Sequence, residues 1–348
     1  MNHKLLFVFG FLIFIACKKN ENSRPVETPE AMYFPSKTDT VWEKKSISSL
    51  NWNLNALDSI RTFLVEKRTK SFMILVNGKI VVEEYYNGHD AATSWKWNSA
   101  GKTLVSATTG IAQEEGYLNI QNKVSDYLGT AWTSEPLEKE NLIQVKHLLS
   151  MNSGINDEKE LVIKSNLTYL ADAGTRWSYH NVFQKLMDVV EKASGQTYES
   201  YFQSKLADKI GMEGFWNNGV IFRIYHSNTR SMAKFGLLAL NKGKWGNEQV
   251  IPENFFKESI QSSQSINPSY GYLWWLNGKS SFMVPGSQIV TQGSLIPNAP
   301  LDMYAAMGAE DQRIYVVPSK NMVIIRMGEA SDINNPSFAV SGFDSAFW

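Results

Sequence analysis

The sequence predicts an α+β fold: a mostly antiparallel sheet built from N- and C-terminal strands and flanked by helices, with a large, mainly helical inserted lobe over about 100–265. Three observations lead there. Two runs rich in β-branched residues, Phe72–Val76 and Ile80–Tyr86, meet at Asn77-Gly78, a pair whose tolerance of positive φ makes it the strongest short hairpin signal. Strand patterns return late, at Leu301–Met307, Arg313–Val317 and Met322–Met327. Between these ends the apolar spacing is helical.

In chain order, Leu54, Leu57, Ile60, Phe63 and Leu64 stand at helical spacing, so a helix is expected over Leu54–Lys67 ahead of the hairpin. Asn181, then Val182, Phe183, Leu186, Val189 and Val190, ending at Gly195, outlines a helix with both start and stop signals. A further helix is expected near Ser231–Asn241, with Ser231 as its cap. Pro318–Asn321 forms the turn between the last two strands.

Composition narrows the function. Among 348 residues, 34 basic and 34 acidic side chains cancel, which leaves no charge excess for binding nucleic acid. Hydrophobic residues make up 43%, with 11 Trp, 14 Tyr and 18 Phe, enough for a large core. A single cysteine excludes an internal disulfide and any zinc site built from several thiolates. His147 reads as structural, His180 and His226 stand alone, and no metal or other cofactor is expected.

The N-terminus reads as an export signal. A short basic start is followed by the apolar run Leu5–Ala16, too short to span a bilayer but suited to a signal-peptide core over 1–16. Ala16-Cys17-Lys18-Lys19 resembles a bacterial lipobox, with Phe14 departing from the usual Leu. On that reading Cys17 is lipidated and 17–45, polar and carrying Pro25, Pro29 and Pro35, is a flexible tether to a domain over 46–348. The simpler alternative is an ordinary secretory signal with an incidental cysteine. Either way an exported, cell-envelope protein is expected, with the membrane as partner through the lipid anchor and no obligate protein partner.

Ser99-Ala100-Gly101-Lys102 is the first chemical candidate. On a helix, residues three apart share a face, so the Lys102 amine reaches the Ser99 hydroxyl. A serine needs a neighbour to take its proton, and a lysine does so only when burial lowers its pKa. The neighbouring Leu104, Val105, Ile111 and Ala112 supply apolar surroundings. Gly101-Lys102-Thr103 mimics the end of a phosphate loop, but Lys96 stands where the first glycine belongs. Ser231-Met232-Ala233-Lys234 repeats the Ser-x-x-Lys pattern. Tyr179-His180-Asn181 is the second candidate, offering a proton relay and an amide that orients substrate or merely caps the helix behind it. Similar triplets begin at Tyr85 and Tyr117, so context must decide.

Ser99–Lys102, Leu148–Gly154, Gly174–Asn181, Lys234–Leu238, Gly271–Trp275 and Gln312–Pro318, in that order, resemble the class C-like branch of the serine β-lactamase and penicillin-binding protein superfamily. That branch includes DD-peptidases, carboxylesterases and nylon-oligomer hydrolases. The resemblance implies an acyl-enzyme route on a small ester or amide substrate. Ser99 is then the nucleophile, Lys102 and Tyr179 share the base and acid roles in an order left open, and Asn181 contacts substrate. The oxyanion is held by the N–H of Ser99 and one from the third-motif strand.

That third motif departs from the family's Lys-Thr-Gly. It is Ala306-Met307-Gly308-Ala309, with Gly308 and a backbone donor at Ala309 retained. Missing partners for a buried carboxylate cost about 2–4 kcal/mol, so the expected enzyme is an esterase or small-amide hydrolase. A β-lactamase or DD-peptidase ranks second, and a catalytically silent envelope binding homologue third. Trp97, Trp274 and Trp275 are candidate walls of an acyl pocket. Glu310 and Asp311 favour an amine-bearing substrate if they face the cleft, and have no such role if they lie in a turn.

Overall fold

The computed structural model describes residues 30–38, 41–219, 222–336 and 339–348. The expected signal segment 1–16 and the expected lipidation site Cys17 lie outside them. Residues Met32–Trp348 form one compact unit.

Its centre is a six-stranded antiparallel sheet. We number its strands β1 (Thr69–Val76), β2 (Lys79–Tyr85), β3 (Trp275–Leu276), β4 (Tyr304–Gly308), β5 (Gln312–Val317) and β6 (Met322–Gly328). Their order across the sheet is β2-β1-β6-β5-β4-β3. The first hairpin and the last strands therefore share one sheet, and the mixed helix and antiparallel-sheet architecture is the expected α+β fold. Asn77 (φ 50°) and Gly78 (φ 80°) make the two-residue hairpin turn. β4 begins three residues later than expected, because Met303 N–H closes a turn on Pro300 O at 3.1 Å and the Asp302 carboxylate accepts the Ser319 N–H at 2.6 Å.

Both faces of the sheet are covered, so β1, β5 and β6 are buried almost throughout. On one face lies α4 (Thr229–Leu240). Its Gly236 fits so tightly that a Cβ there would stand 2.5 Å from Val323 Cγ1 and 3.0 Å from Ile314 Cγ2. On the other face lie α1 (Leu54–Glu66) and α5 (Gly342–Phe347), joined by Phe63 against Phe343 at 5.4 Å. Phe72 of β1 meets Phe347 at 5.8 Å. Strand alternation sends Ile314 and Val323 toward α4 and Arg313, Tyr315 and Arg326 toward α5.

Within the inserted region, α2 (Lys102–Glu114) is buried from Lys102 through Ala112, and α3 (Lys185–Ser194) ends at Gly195 with φ 71°. The region is less purely helical than expected. Strand Arg223–Ser227 there pairs on one side with Gly214–Asn218 and on the other with Trp95–Lys96.

Two expectations are corrected. The cap of α4 is Asn228, whose Oδ1 accepts the Ser231 N–H at 2.8 Å, while the Ser231 hydroxyl accepts the Glu213 N–H at 2.9 Å. The tether does not extend to residue 45. Tyr33 N–H donates to Asn77 O at 2.9 Å, the buried Trp42 indole donates to Gly78 O at 2.7 Å, and this segment clasps the hairpin turn.

Gly236→Ala is expected to lower stability by about 1–3 kcal/mol through overpacking between α4 and the sheet, read from the midpoint of urea unfolding. An unchanged midpoint would show that this interface yields.

Candidate active site

The site forms where three pieces of chain converge: the turn that starts α2, the segment ahead of α3, and the end of β4. Asn98–Gly101 is a 3-10 turn leading directly into α2. Asn98 enters it with φ 48°, a conformation that asparagine tolerates better than most residues. Ser99 occupies this first turn, where backbone N–H groups have no partner within the helix.

Lys102 Nζ donates to Ser99 Oγ at 2.7 Å. The lysine is buried, with its ammonium 4.3 Å from the Phe183 ring centre and 4.6 Å from that of Tyr179. Burial alone lowers its pKa to about 7. The aromatic faces do not restore the hydration that an ammonium loses there. The free amine is therefore within reach near neutral pH, beside the serine hydroxyl.

Tyr179 approaches Ser99 from the other side. Burial pushes its pKa up to about 12, against weaker opposing effects from the Ser99 hydroxyl and the Trp275 indole. Neither closes a well-formed hydrogen bond with the buried Tyr179 oxygen. The phenol thus keeps its proton at neutral pH and is free to donate it.

Gly308 completes the convergence. A Cβ at this position would lie 2.5 Å from Trp97 O, 2.8 Å from Ala100 N and 3.0 Å from Ser99 N. Only glycine allows β4 to press against the Ser99 turn in this way. Asn98 Nδ2 donates to Ala309 O at 2.8 Å, fastening the two segments together. Met307 is buried in the strand and offers no polar group.

The segment ahead of α3 is tied down by the loop at 157–160. The Asp157 carboxylate pairs with Arg176 at 2.9 Å and accepts the Ser178 hydroxyl. His180 Nε2 meets Lys159 O at 2.8 Å, and Asn181 Nδ2 donates to Glu160 O at 3.2 Å. Asn181 opens a 3-10 turn, Asn181–Gln184, that runs into α3 without a side-chain cap. His147 is structural, its Nδ1 accepting the Gln144 N–H at 3.1 Å.

The structure therefore brings Ser99, Lys102, Tyr179, Gly308 and Ala309 together. Trp275 joins them, its ring 5.5 Å from that of Tyr179. Trp97 and Trp274 do not wall a pocket: Trp97 is fully buried and donates to Ser227 Oγ at 2.8 Å, and Trp274 stacks on Phe235 at 6.0 Å. Glu310 and Asp311 lie in a turn. Glu310 pairs with Lys96 at 2.6 Å, and the buried Asp311 pairs with Arg313 at 3.0 Å. Phe183 and Asn98 were not read from the sequence as site residues. Asn98 adjoins the nucleophile but carries no motif of its own.

Residues 64–327 match the family model described as Beta-lactamase, and the chain belongs to that family of hydrolases. A protein of undetermined function from Alkalihalophilus pseudofirmus is 23% identical over 302 residues, covering 76% of this chain and 84% of its own. Among solved structures, one assigned as a β-lactamase in Bacteroides dorei aligns with TM-score 0.66 and 15% identity, covering 85% of this chain and 98% of that one. One assigned as a 6-aminohexanoate-dimer hydrolase in Bacillus anthracis aligns with TM-score 0.62 and 16% identity, covering 87% and 85%. At these identities the two structures bear on the fold.

Lys102→Met removes a group that burial disfavours in its charged form. The folded-state pKa of about 7 lies below the ordinary value of 10.5, so the wild type loses stability as pH falls from 10.5 toward 7. The variant is expected to be more stable than wild type, with the full difference below about pH 7 and a shrinking one from there to 10.5. Thermal unfolding across that range checks this. A pH-independent difference would contradict it.

Proposed function

We propose that the protein is a serine hydrolase that cleaves an ester or amide bond through an acyl-enzyme. The observation that carries this reading is the 2.7 Å contact from Lys102 Nζ to Ser99 Oγ, made by a buried lysine with a pKa of about 7. Such an amine is matched to proton transfer at neutral pH.

In this reading Ser99 Oγ attacks the substrate carbonyl carbon while its proton passes to Lys102 Nζ. The tetrahedral oxyanion accepts hydrogen bonds from the Ser99 and Ala309 N–H groups. As the carbon–oxygen or carbon–nitrogen bond breaks, the leaving group takes a proton from Tyr179 Oη, which regains one from Lys102. Water then attacks the Ser99 ester with the lysine again accepting a proton, and Ser99 is released with a carboxylic acid product. Asn181 is the candidate substrate contact in this reading, with its amide donating to Glu160 O at 3.2 Å.

The third motif supports an ester or small amide over a β-lactam. Ala306 and Met307 are buried and apolar, and the nearby Lys96 is paired with Glu310, so no hydroxyl or unpaired ammonium of this turn is offered to a substrate carboxylate.

The decisive experiment is covalent labelling by a fluorophosphonate together with turnover of p-nitrophenyl esters of graded chain length. Labelling is expected in wild type and lost in Ser99→Ala, with kcat/KM rising with pH through about 7 as Lys102 loses its proton. An unlabelled wild type would support the silent binding homologue instead. Rapid nitrocefin turnover would restore the β-lactamase reading.

We also propose export and lipid anchoring through Cys17, on the apolar run and small residue that precede it. Cys17→Ala is expected to move the protein from the membrane to the soluble fraction of its native cells. Unchanged fractionation would reject the anchor.

A further inference from the structure

The turn from Gly308 to Gln312 has an unusual property. All five of its consecutive carbonyls accept hydrogen bonds from side-chain donors. Arg313 Nη1 donates to Gly308 O at 2.9 Å and to Gln312 O at 3.1 Å. Asn98 Nδ2 takes Ala309 O at 2.8 Å. Arg326 Nη1 takes Glu310 O at 2.8 Å and Asp311 O at 3.0 Å, and Gln312 Nε2 adds a second bond to Glu310 O at 3.0 Å. Glu310 and Asp311 both have φ 60°, a left-handed conformation that non-glycine residues hold only when their surroundings impose it.

The two arginines are fully buried and are direct cross-strand partners on β5 and β6. Their like charges would repel without compensation. Asp344 of α5 supplies it, its carboxylate bidentate on Arg313 at 2.7 and 2.9 Å, and Asp311 adds a contact at 3.0 Å. Bidentate pairing fixes the plane of the guanidinium as well as its position. Nη1 is thereby aimed at Gly308 O.

Pinning that carbonyl has a direct chemical consequence. No peptide bond among the described residues is cis, and in a trans peptide the N–H points opposite to the C=O. With Gly308 O held by Arg313, the Ala309 N–H turns away from the arginine, toward the nucleophile turn that abuts Gly308. Asn98 then fixes the next peptide plane from the nucleophile's own side.

We propose that Arg313, oriented by Asp344, and Asn98 are positioning residues that aim the Ala309 N–H as an oxyanion donor. Neither touches the reacting atoms. Arg313 acts through the Gly308–Ala309 peptide, and Asn98 holds the following Ala309–Glu310 peptide against the turn that carries Ser99. The inference rests on the serine-hydrolase reading above and adds two residues, together with a helix remote from the nucleophile in sequence, to its machinery.

Two variants isolate the effect. Asn98→Gly keeps the positive φ and removes only the amide donor. Arg313→Lys keeps a buried charge and loses the planar fork. Removing one oxyanion donor outright lowers kcat by about 10²–10³, so misaiming one is expected to lower kcat about ten- to a hundredfold while KM moves less than about threefold. Affinity for phenylboronic acid, which adds to a serine as a tetrahedral anion, should fall by the same factor as kcat. Far-UV circular dichroism and thermal unfolding establish that each variant is folded. If Arg313→Lys does not fold, Asn98→Gly alone decides.

Wild-type kcat in folded variants would overturn the inference, as would a loss confined to KM or boronate affinity that stays unchanged. Both results leave Ser99 labelling in wild type intact and so spare the serine-hydrolase reading. A wild type that takes no fluorophosphonate overturns both.

Discussion

Everything at the centre of this molecule depends on an ammonium group that has been taken out of water without a carboxylate to meet it. Lys102 sits at the start of α2 under two aromatic rings, and desolvation by itself brings its pKa to about 7. An acidic partner would have had the opposite effect, holding the proton on the amine and making it useless as a base. The chemistry of the site therefore follows from what surrounds the lysine being apolar. Because α2 is buried along most of its length, that surrounding is the core itself. The unfavourable burial of one basic group is offset by the packing of the whole helix.

The central sheet shows the reverse solution. Arg313 and Arg326 cannot give up their protons under ordinary conditions, so their burial is made possible by partners. Asp344 and Asp311 balance Arg313, and backbone carbonyls surround Arg326. Lys102 has no carboxylate partner and its proton is loosened, while the two arginines are fully engaged and become structural. The distinction lies in their partners rather than in their depth.

Local chemistry was legible in the sequence. Asn77-Gly78 marked the hairpin, Gly195 marked the end of α3, and the three-residue spacing from Ser99 to Lys102 placed their side chains on one face. What escaped the sequence was set by contacts between distant segments. Trp97 and Trp274 are wide aromatic residues next to motif positions, but whether a ring faces a cleft or a core depends on Ser227 and Phe235, far off in the chain. Whether Asp311 faces a cleft or lies in a turn is decided by Arg313, which pairs with it. Residues 32–42 read as tether because their composition is polar, yet one indole, that of Trp42, anchors them. A single charged residue inside each of two apolar strands, at 313 and 326, was a visible signal for the buried network. Its partner Asp344 was not visible, since nothing in its own neighbourhood announced it.

The pairing of β1 with β6 also sets an order of events in time. Thr69 and Arg326, which meet at 3.2 Å, are 257 residues apart. A polypeptide that emerges from its N-terminal end therefore carries its serine and lysine long before it possesses the strand that closes the sheet or the helix that steadies the turn after Gly308. Closing so long a loop is slow, because the entropy must be lost before the contact rewards it. Ser99 and Lys102 are thus present in the nascent chain from early on, whereas the frame that holds the turn after Gly308 is completed last.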